Sequence, residues 1–515
     1  MQRGANWRTR VAAGAIAVPL VLVLAGCSDW TQFRGGPEHT GFNTQASGIN
    51  SSIVQSLVLR GASTVVGAPT SAGAIPSSPA VSDNRVYVTT RGASLASPAV
   101  PGTLSVYSAD GTSNCSGHPM ACTPLWTASP GGALAPSPAV GVIPGTRQSV
   151  VYVTNSNGQV FAYDAAGRRS CSSTPVVCTP LWKSGPLGSS IYSSPTIAGN
   201  YLYVSIEYGA TYAFDTVAAF NDDPSVCQIR RTIQDLRAQF CHWEWGNITP
   251  GNVLASPSVS NGVLYTASNS AGSETLYAFD ATTDGSPNCT GTPNVNKFCR
   301  PIWTSTPWIG GRSTSAVSNG IVYMGSEKSG LLAFDAGGTT RPNCAGMAYS
   351  NRVCSPLWVA PTGPQMGSSP AVANGVVYIG ASDGKLYAFE SATGRALWTA
   401  TTNGPIESSP TVAGGMNGGP SGQVVYVGSD DNSLYAFDAN GSMKCTAKKA
   451  ELKTCSPLWS YATGGYIESS PTVVDGYRRS GSTRVDAGAL FVGSEDNRLY
   501  AFGLPAGRIP TDRPS

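Results

Sequence analysis

The stretch that decides the fold is residues 368–398, SSPAVANGVVYIGASDGKLYAFESATGRALW, which predicts a small antiparallel sheet. Val376 to Gly380 and Lys385 to Glu390 are rich in β-branched and aromatic residues, and a turn-forming Asp-Gly pair lies between them. Pro370 to Ala373 before them and Ala396 to Ala400 after them complete four strands. Four antiparallel strands in about 40 residues make one blade of a β-propeller.

The opening phrase of this unit, Ser-Ser-Pro or a close variant, recurs eight times at intervals of 40 to 62 residues. The last unit stops after its third strand, so its fourth strand should come from Ser56 to Val65, and closing the ring in this way removes two exposed edges. The sequence therefore predicts an all-β fold, an eight-bladed β-propeller of four-stranded antiparallel blades whose N-terminal strand closes the last blade. The phrase is centred on Pro79, Pro138, Pro195, Pro257, Ser315, Pro370, Pro410 and Pro471.

A tryptophan occupies the fourth strand of each of the first seven units. An indole buries roughly 150–250 Å², so these side chains are expected to dock neighbouring blades rather than to stack on a ligand. In the third unit either Trp243 or Trp245 fills the position, and Trp308 is left without an assignment. The tryptophans assigned to docking are Trp126, Trp182, Trp303, Trp358, Trp398 and Trp459.

Composition excludes several classes of function. Charged residues make up 12% of the chain, against about 25% in an average globular protein, while 60 glycines and 37 prolines indicate many tight turns. The net charge of +3 includes no long run of Lys or Arg, so the electrostatic footprint of nucleic-acid binding is missing. Three dispersed histidines, at positions 39, 118 and 242, argue against a histidine-rich metal site.

The N-terminus has the pattern of an export signal. Arginines at positions 3, 8 and 10 precede an apolar stretch from Val11 to Gly26, whose end, Leu24-Ala25-Gly26-Cys27, resembles the lipobox of bacterial lipoproteins. That resemblance implies cleavage before Cys27, lipidation of its thiol and an extracytoplasmic, membrane-anchored protein. The alternative, a transmembrane anchor, would be short for a bilayer span and would contain Pro19. The predicted parts are a signal peptide (1–26), a lipidated linker (27–50), the propeller (51–505) and a disordered tail (506–515).

The remaining twelve cysteines fall into six close pairs. An even number of cysteines in an exported chain indicates disulfides, and the same position within each repeat favours local bridges. No C-x-x-C motif occurs, which argues against zinc-ribbon, thioredoxin and haem c sites. The predicted pairs are Cys115–Cys122, Cys171–Cys178, Cys227–Cys241, Cys289–Cys299, Cys344–Cys354 and Cys445–Cys455.

The pattern Ala388-x-Glu390-x-x-Thr393-Gly394-x-x-x-Trp398 resembles the tryptophan-docking repeat of eight-bladed propellers of the pyrroloquinoline-quinone (PQQ) type. It departs from the family at Glu390, where Asp is usual. WTQFRGGP from Trp30 to Pro37, followed by Thr40-Gly41, also resembles the beginning of many members. The resemblance extends over residues 30–504 and implies the same ring-shaped fold.

Two classes of function are compatible with this resemblance. BamB-type members are non-catalytic, lipid-anchored propellers that bind a protein, or an envelope polymer, at the channel face. Quinoprotein dehydrogenases use PQQ and Ca²⁺ to oxidise alcohols, polyvinyl alcohol-like polymers or sugars. The chain has no adjacent cysteine pair, no haem motif and no assembled catalytic constellation. We therefore interpret it as a monomeric binding or scaffold protein without catalytic residues, and keep the quinoprotein as the alternative.

Candidate site residues follow from the family's geometry. Loops that lead into first strands and loops that join second to third strands share one face, around the central channel. Carboxylates there can bind Ca²⁺ or act as a base, although acidic residues are also ordinary turn formers. Arg312 interrupts the Ser-Ser-Pro phrase and would suit an anion such as PQQ. The candidates are Tyr192, Arg312, Gln365, Glu407 and Glu468, and the second loop set adds Glu207, Glu327, Asp383, Asp430, Asp431, Glu495 and Asp496.

Overall fold

Almost all regular structure in the described part of the chain is β-strand, which confirms the predicted all-β fold. Its helices are a 3-10 turn at Val54–Ser56 and a short α-helix at Thr216–Phe220. A computed structural model describes residues 29–505 except 44–45, 47, 65–73, 93–99, 173, 222, 224–225, 230–238, 283–287, 293–296, 309–311, 341, 365–366, 416–420, 448–450, 476–477, 481–482 and 486–487.

Eight blades form the ring, each with four antiparallel strands that lie side by side. The first strand of each blade lines the channel and the fourth lies at the rim, so the hydrophobic clusters fill the spaces between adjacent blades. Blades 1 to 4 comprise Ala80–Ser82, Arg85–Thr89, Leu104–Ser108, Trp126–Ala128; Ala139–Val142, Ser149–Thr154, Val160–Asp164, Trp182–Ser184; Thr196–Ala198, Tyr201–Ile206, Ala210–Asp215, Trp245–Ile248; and Ser258–Ser260, Val263–Ser270, Ser273–Asp280, Trp303–Ser305. Blades 5 to 8 comprise Ala316–Ser318, Ile321–Ser326, Gly330–Asp335, Trp358–Ala360; Ala371–Ala373, Val376–Gly380, Lys385–Glu390, Ala396–Thr401; Thr411–Gly414, Gln423–Gly428, Ser433–Asp438, Trp459–Ala462; and Thr472–Val474, Ala489–Ser494, Arg498–Gly503, Val58–Thr64.

The ring is closed by an N-terminal strand, as the sequence predicts. Val58–Thr64 pairs antiparallel with Arg498–Gly503, the third strand of blade 8, with Val58 opposite Gly503. First and last parts of the propeller are therefore joined in one sheet, which satisfies backbone groups that an open ring would leave at two exposed edges.

The tryptophans of the fourth strands dock adjacent blades to one another. In blade 4 the indole nitrogen of Trp303 donates to the carbonyl of Ala336 in blade 5 at 3.1 Å, and Trp398 of blade 6 donates to Ala439 of blade 7 at 3.1 Å. The corresponding side chains of Trp126, Trp358 and Trp459 donate at 3.3, 3.2 and 3.3 Å. Trp182 is buried in the cluster between its blade and the next.

The two ambiguous tryptophan positions are also structural. Trp245 is the fully buried docking residue of blade 3, whereas Trp243 packs against Tyr212 and Phe298, with ring centroids 5.0 and 5.5 Å apart. Trp308 is buried against Phe334, 5.5 Å between centroids. None of these rings is left open for stacking on a ligand.

A glycine lies beneath each of several docked indoles, which explains the Gly of the repeat. Gly441 has a φ of +61°, and a Cβ there would come within 2.3 Å of Cδ1 of Trp398. We expect Gly441→Ala to lower the free energy of unfolding by roughly 2 kcal/mol, through both left-handed backbone strain and displacement of the indole. Gly375→Ala is the matched control: its φ is +81°, but nothing lies within 4 Å of the added Cβ. If urea denaturation shows the same loss of unfolding free energy for Gly441→Ala and Gly375→Ala, the contact with the indole contributes nothing to the effect.

The six predicted cysteine pairs form disulfides in the structure. Each lies in the connection between third and fourth strands. The cysteine-bearing segment folds back on itself and pairs in parallel with the fourth strand of the preceding blade. The short strands involved are Cys115–Ser116, Ala121–Cys122, Cys227–Ile229, Gln239–Cys241, Cys289–Thr290, Phe298–Cys299, Cys344–Ala345, Val353–Cys354, Cys445–Thr446 and Lys453–Cys455, and a further hairpin joins Arg478–Ser480 to Thr483–Val485.

Candidate functional site

A circle of hydroxyl groups surrounds the central channel, and it comes from the second residue of the Ser-Ser-Pro phrase. In each blade the backbone N–H of this residue donates to the hydroxyl of its counterpart in the next blade, at 2.8 to 3.2 Å. The last of these bonds, from Ser470 to Ser78, closes the circle. We call these residues the hydroxyl belt: Ser78, Ser137, Ser194, Ser256, Thr314, Ser369, Ser409 and Ser470.

The first serine of the phrase acts within its own blade. The hydroxyls of Ser368 and Ser408 accept hydrogen bonds from the backbone of Gly380 and Gly428 in the second strands, at 3.0 and 3.1 Å. The two adjacent serines thus fix the start of the first strand both to its own blade and to its neighbour. Their recurrence in the sequence has a structural cause and does not mark catalytic serines.

One end of the channel is closed by residues 29–43, which we call the channel segment and which belong to the stretch that the sequence analysis treats as a linker. Described residues of this segment lie inside the ring because its backbone and polar side chains bond to the first strand of every blade. For example, Val140 donates to the carbonyl of Thr31 at 2.6 Å and Val372 donates to that of Thr40 at 2.7 Å. The equivalent first-strand residues are Val81, Val140, Ile197, Val259, Val317, Val372, Val412 and Val473.

Two buried polar side chains hold the channel segment in place. The guanidinium of Arg34 donates to the carbonyl oxygens of His39 at 2.9 Å, Ser369 at 2.6 Å and Pro370. The imidazole of His39 contacts the carbonyl of Phe33 at 2.7 Å and that of Pro257 at 2.9 Å. Arg34 enters the sequence analysis only as part of the WTQFRGGP segment and His39 only as one of three dispersed histidines, and neither is assigned a structural role there, since both lie outside the repeats.

The opposite end of the channel is an open funnel with a cavity of about 160 Å³. The hydroxyl belt forms its waist and Phe33 of the channel segment contributes to its floor. Four of the five sequence candidates line it, namely Tyr192, Arg312, Glu407 and Glu468. The fifth, Gln365, lies outside the described residues, as does Cys27. The structure thus brings together side chains that lie up to 276 residues apart, from 192 to 468.

The funnel is acidic on one side, where blades 7 and 8 meet the channel. Burial, helped by the charge of Glu468, raises the pKa of Glu407, while Arg312 opposes the change. Burial together with the carboxylates of Glu407 and Glu468 raises the pKa of Asp430 to about 6. Burial also raises the pKa of Glu495. These shifts indicate carboxylates that share one partly desolvated region, and we call Glu407, Asp430, Glu468 and Glu495 the acidic quadrant.

Arg91 is the nearest compensating charge and was missed by the sequence analysis. Its guanidinium lies 3.3 Å from the carboxylate of Glu468 and 3.9 Å from that of Glu495. The arginine side chain is about half exposed, so the pair contributes little stability and leaves the quadrant with an excess of negative charge. Arg91 lies in the loop between the second and third strands of blade 1. Loops of this set face the channel in the family, and this could have identified Arg91 as a candidate.

Other acids in the same loop set have structural roles. Asp431 accepts hydrogen bonds from the Tyr435 hydroxyl at 2.7 Å and from the backbone of Asn403 at 2.8 Å. Asp496 likewise accepts from the Tyr500 hydroxyl at 2.5 Å. Asp383 accepts from the Tyr387 hydroxyl at 2.7 Å. These three carboxylates fix the loops that carry them.

Comparisons with known proteins agree with the architecture. The family model described as outer membrane protein assembly factor BamB matches residues 348–509, which include Glu407 and Glu468. Quinohemoprotein alcohol dehydrogenase from Comamonas testosteroni has a TM-score of 0.57 at 13% identity, over 95% of this chain and 82% of that chain. Europium-containing methanol dehydrogenase has a TM-score of 0.56 at 12% identity, over 93% and 98%. BamB from Moraxella catarrhalis has a TM-score of 0.49 at 14% identity, over 89% and 99%.

The two neighbours with TM-scores of 0.56 and 0.57 show a shared fold, and at 12 and 13% identity they do not transfer an activity. No curated protein matches the chain in sequence. No helix in the described part of the chain is long and apolar enough to cross a membrane. Six disulfides are typical of proteins outside the cytoplasm.

The funnel does not fit PQQ and Ca²⁺, the groups that a quinoprotein would hold. PQQ carries three carboxylates, whereas the described lining of the cavity presents two carboxylates, Glu407 and Glu468, and one cation, Arg312. The cavity of about 160 Å³ is also smaller than the roughly 300–1,000 Å³ of small-molecule sites. In the described part of the chain, no three His, Cys, Asp or Glu side chains are placed to hold a metal ion.

Proposed function

We propose that this protein is a non-catalytic binding protein of the cell envelope, anchored by lipid at Cys27, which holds a partner protein at the funnel. The partner presents one or more cationic groups to the acidic quadrant. The observation that supports this most is the gathering of partly buried carboxylates at one side of the open funnel: Glu407 and Glu468 line the cavity, and Asp430 and Glu495 lie close enough to interact with them electrostatically. A buried excess of negative charge favours a cationic partner because each group strengthens the electrostatic field of its neighbours.

The proposed anchor would direct the funnel away from the membrane. Asp29 accepts a hydrogen bond from the Ser82 hydroxyl at 2.9 Å, at the end of a first strand that begins at the hydroxyl belt. It therefore lies at the face opposite the funnel. Cys27 precedes it by two residues, a span of at most about 7 Å. A lipid on Cys27 would thus hold the closed face near the bilayer and leave the funnel accessible to a partner.

The test measures binding of a fluorescein-labelled pentalysine peptide to the full lipidated chain in detergent. We expect the double substitution Glu407→Gln and Glu468→Gln to weaken binding by about tenfold or more, a loss of roughly 1.4 kcal/mol, because two of the attracting charges are removed. Binding should also weaken between pH 7.5 and pH 5, since the pKa of Asp430 is about 6 and its carboxylate becomes protonated in that range.

Glu390→Gln is the matched control, because Glu390 makes an exposed pair with Arg395 in the turn after the third strand of blade 6, away from the funnel. Its affinity for the peptide should equal that of the unmodified protein. Equal weakening by both substitutions would contradict the proposal. Stoichiometric PQQ binding with dye-linked oxidation of an alcohol or sugar would instead support the quinoprotein alternative.

A further inference from the structure

The fourth strand, which is outermost in its blade, is covered in six of the eight blades by a parallel segment from the following blade. In blade 4 the amides of Thr304 and Thr306 donate to the carbonyls of Arg352 and Cys354, at 2.9 and 2.8 Å. Alternate backbone amides of the fourth strand thus point outward and donate hydrogen bonds to carbonyls of the covering segment. The rim of this propeller is built to accept parallel strands.

Blades 5 and 7 differ, since within the described ranges neither fourth strand has an outer partner. In blade 5 the strand Trp358–Ala360 is followed by Pro361, at the position equivalent to Thr306 of blade 4. A proline there has no N–H and protects the edge from pairing. In blade 7 the strand Trp459–Ala462 is one residue longer and has Ala462 at that position, so its donor is retained.

The register of blade 7 shows which groups are available. Tyr461 lies opposite Leu434, and the amide of Thr463 donates to the carbonyl of Asn432 at 2.7 Å. Inward and outward bonds alternate along an antiparallel strand, so the amides of Ser460 and Ala462 point outward. Both residues are exposed. This edge therefore presents the same two donors that Thr304 and Thr306 use in blade 4.

An apolar surface accompanies the donors. Trp459 and Tyr461 are only partly buried, and their rings pack on Phe502 of blade 8 at 5.2 and 4.9 Å between centroids. In blade 3 an aromatic side chain of the covering hairpin, Phe298, packs on Trp243 beside the fourth strand, at 5.5 Å between centroids. In blade 7 Trp459 and Tyr461 lie on the edge strand itself and offer a partly exposed aromatic surface to a side chain of an added strand.

We infer that the outer edge of blade 7, Trp459–Ala462, binds an extended, proline-free segment of a partner protein, which adds to the sheet in parallel. The six covered blades define both the direction of the added strand and its hydrogen bonds. This interaction lies at the rim, uses backbone donors and does not depend on the acidic quadrant in the funnel. It gives the protein a second contact, of a different chemistry, with a partner held at the channel.

The chain itself supplies a probe. An oxidised peptide with the sequence of residues 343–355 contains the Cys344–Cys354 bridge and the strand that covers blade 4, and it has no proline. We expect the full chain to bind this peptide at a single site, with slowed amide hydrogen exchange at Ser460 and Ala462. Ala462→Pro should weaken binding at least tenfold by removing one outward donor, as Pro361 does naturally in blade 5. Ala462→Ser retains the N–H and should bind like the unmodified protein.

Three results would overturn the inference. The first is equal binding of the peptide by the Ala462→Pro and Ala462→Ser variants, with both folded by circular dichroism. The second is exchange protection confined to blades other than blade 7. The third is a dimer of the unmodified chain that Ala462→Pro converts to monomer, because the edge would then be occupied by a second copy. Pentalysine binding tests the funnel and peptide binding tests the edge of blade 7. A protein that fails to bind pentalysine can still bind the peptide, so each proposal can be contradicted without the other.

Discussion

Arg34→Ala is expected to lower the free energy of unfolding by about 3–5 kcal/mol, because three backbone carbonyls would lose their donor in the centre of the ring. The side chain is 2% exposed, so water cannot replace the missing bonds at low cost. Ser369, one of its acceptors, also belongs to the hydroxyl belt. The substitution therefore weakens contacts of the channel segment with the circle that joins all eight blades.

Arg34→Met separates hydrogen bonding from packing in this experiment. Methionine fills most of the same volume but donates no hydrogen bond, so urea denaturation should show nearly the same loss as for Arg34→Ala. Arg85→Ala serves as the control, since Arg85 lies at the start of a second strand and its guanidinium donates an exposed hydrogen bond to the carbonyl of Asp83 at 3.0 Å. If Arg34→Ala unfolded within about 1 kcal/mol of the control, the channel segment would not contribute to the stability of the ring.

The blades could be predicted because their signals are local. In blade 6 the predicted strands Val376 to Gly380 and Lys385 to Glu390 coincide with those observed, since alternating apolar residues and Asn-Gly or Asp-Gly turns set both ends. Closure of the ring by the N-terminal strand could be predicted by counting strands, because the last repeat unit has three strands and a blade needs four. The cysteine pairing followed from the equivalent position of each pair in the repeat.

The channel segment and the covered rim could not be predicted in the same way. Gln32 bonds to the backbone of Ile197, 165 residues away, and no periodic pattern marks such a contact. The parallel pairing of Thr304 with Val353 is also invisible in sequence, because backbone groups of any residue can make it. The repeat predicted that Glu407 and Glu468 lie at the funnel, because each comes just before the first strand of its blade. The ion pairs of Arg91 with Glu468 and Glu495 could not be predicted in this way, because they depend on which loops of blades 1 and 8 lie side by side.

The second large effect is a loss of stability in acid that depends on His39. Burial, together with the nearby charge of Arg34, lowers the pKa of His39 from 6.5 to about 4 in the folded protein, despite its contacts with two carbonyls. Nε2 also lies 3.0 Å from the Thr196 hydroxyl, which itself donates to the carbonyl of Pro257 at 2.6 Å. Between these pH values the unfolded chain binds a proton that the folded chain excludes. Stability is therefore complete above pH 6.5 and falls by about 3 kcal/mol as the pH approaches 4.

The comparison that isolates this effect is the pH dependence of His39→Gln against that of the unmodified chain, by urea denaturation at pH 7.5, 6, 5 and 4.5. Absolute curves are insufficient because the acidic quadrant acts with the opposite sign: the pKa of Asp430 is raised to about 6, so the folded form binds its proton first and gains stability as the pH falls. Glutamine does not titrate, so the variant should lose about 2–3 kcal/mol less than the unmodified chain over this range. Parallel curves for the two proteins would mean that the pKa of His39 is the same in the folded ring as in the unfolded chain.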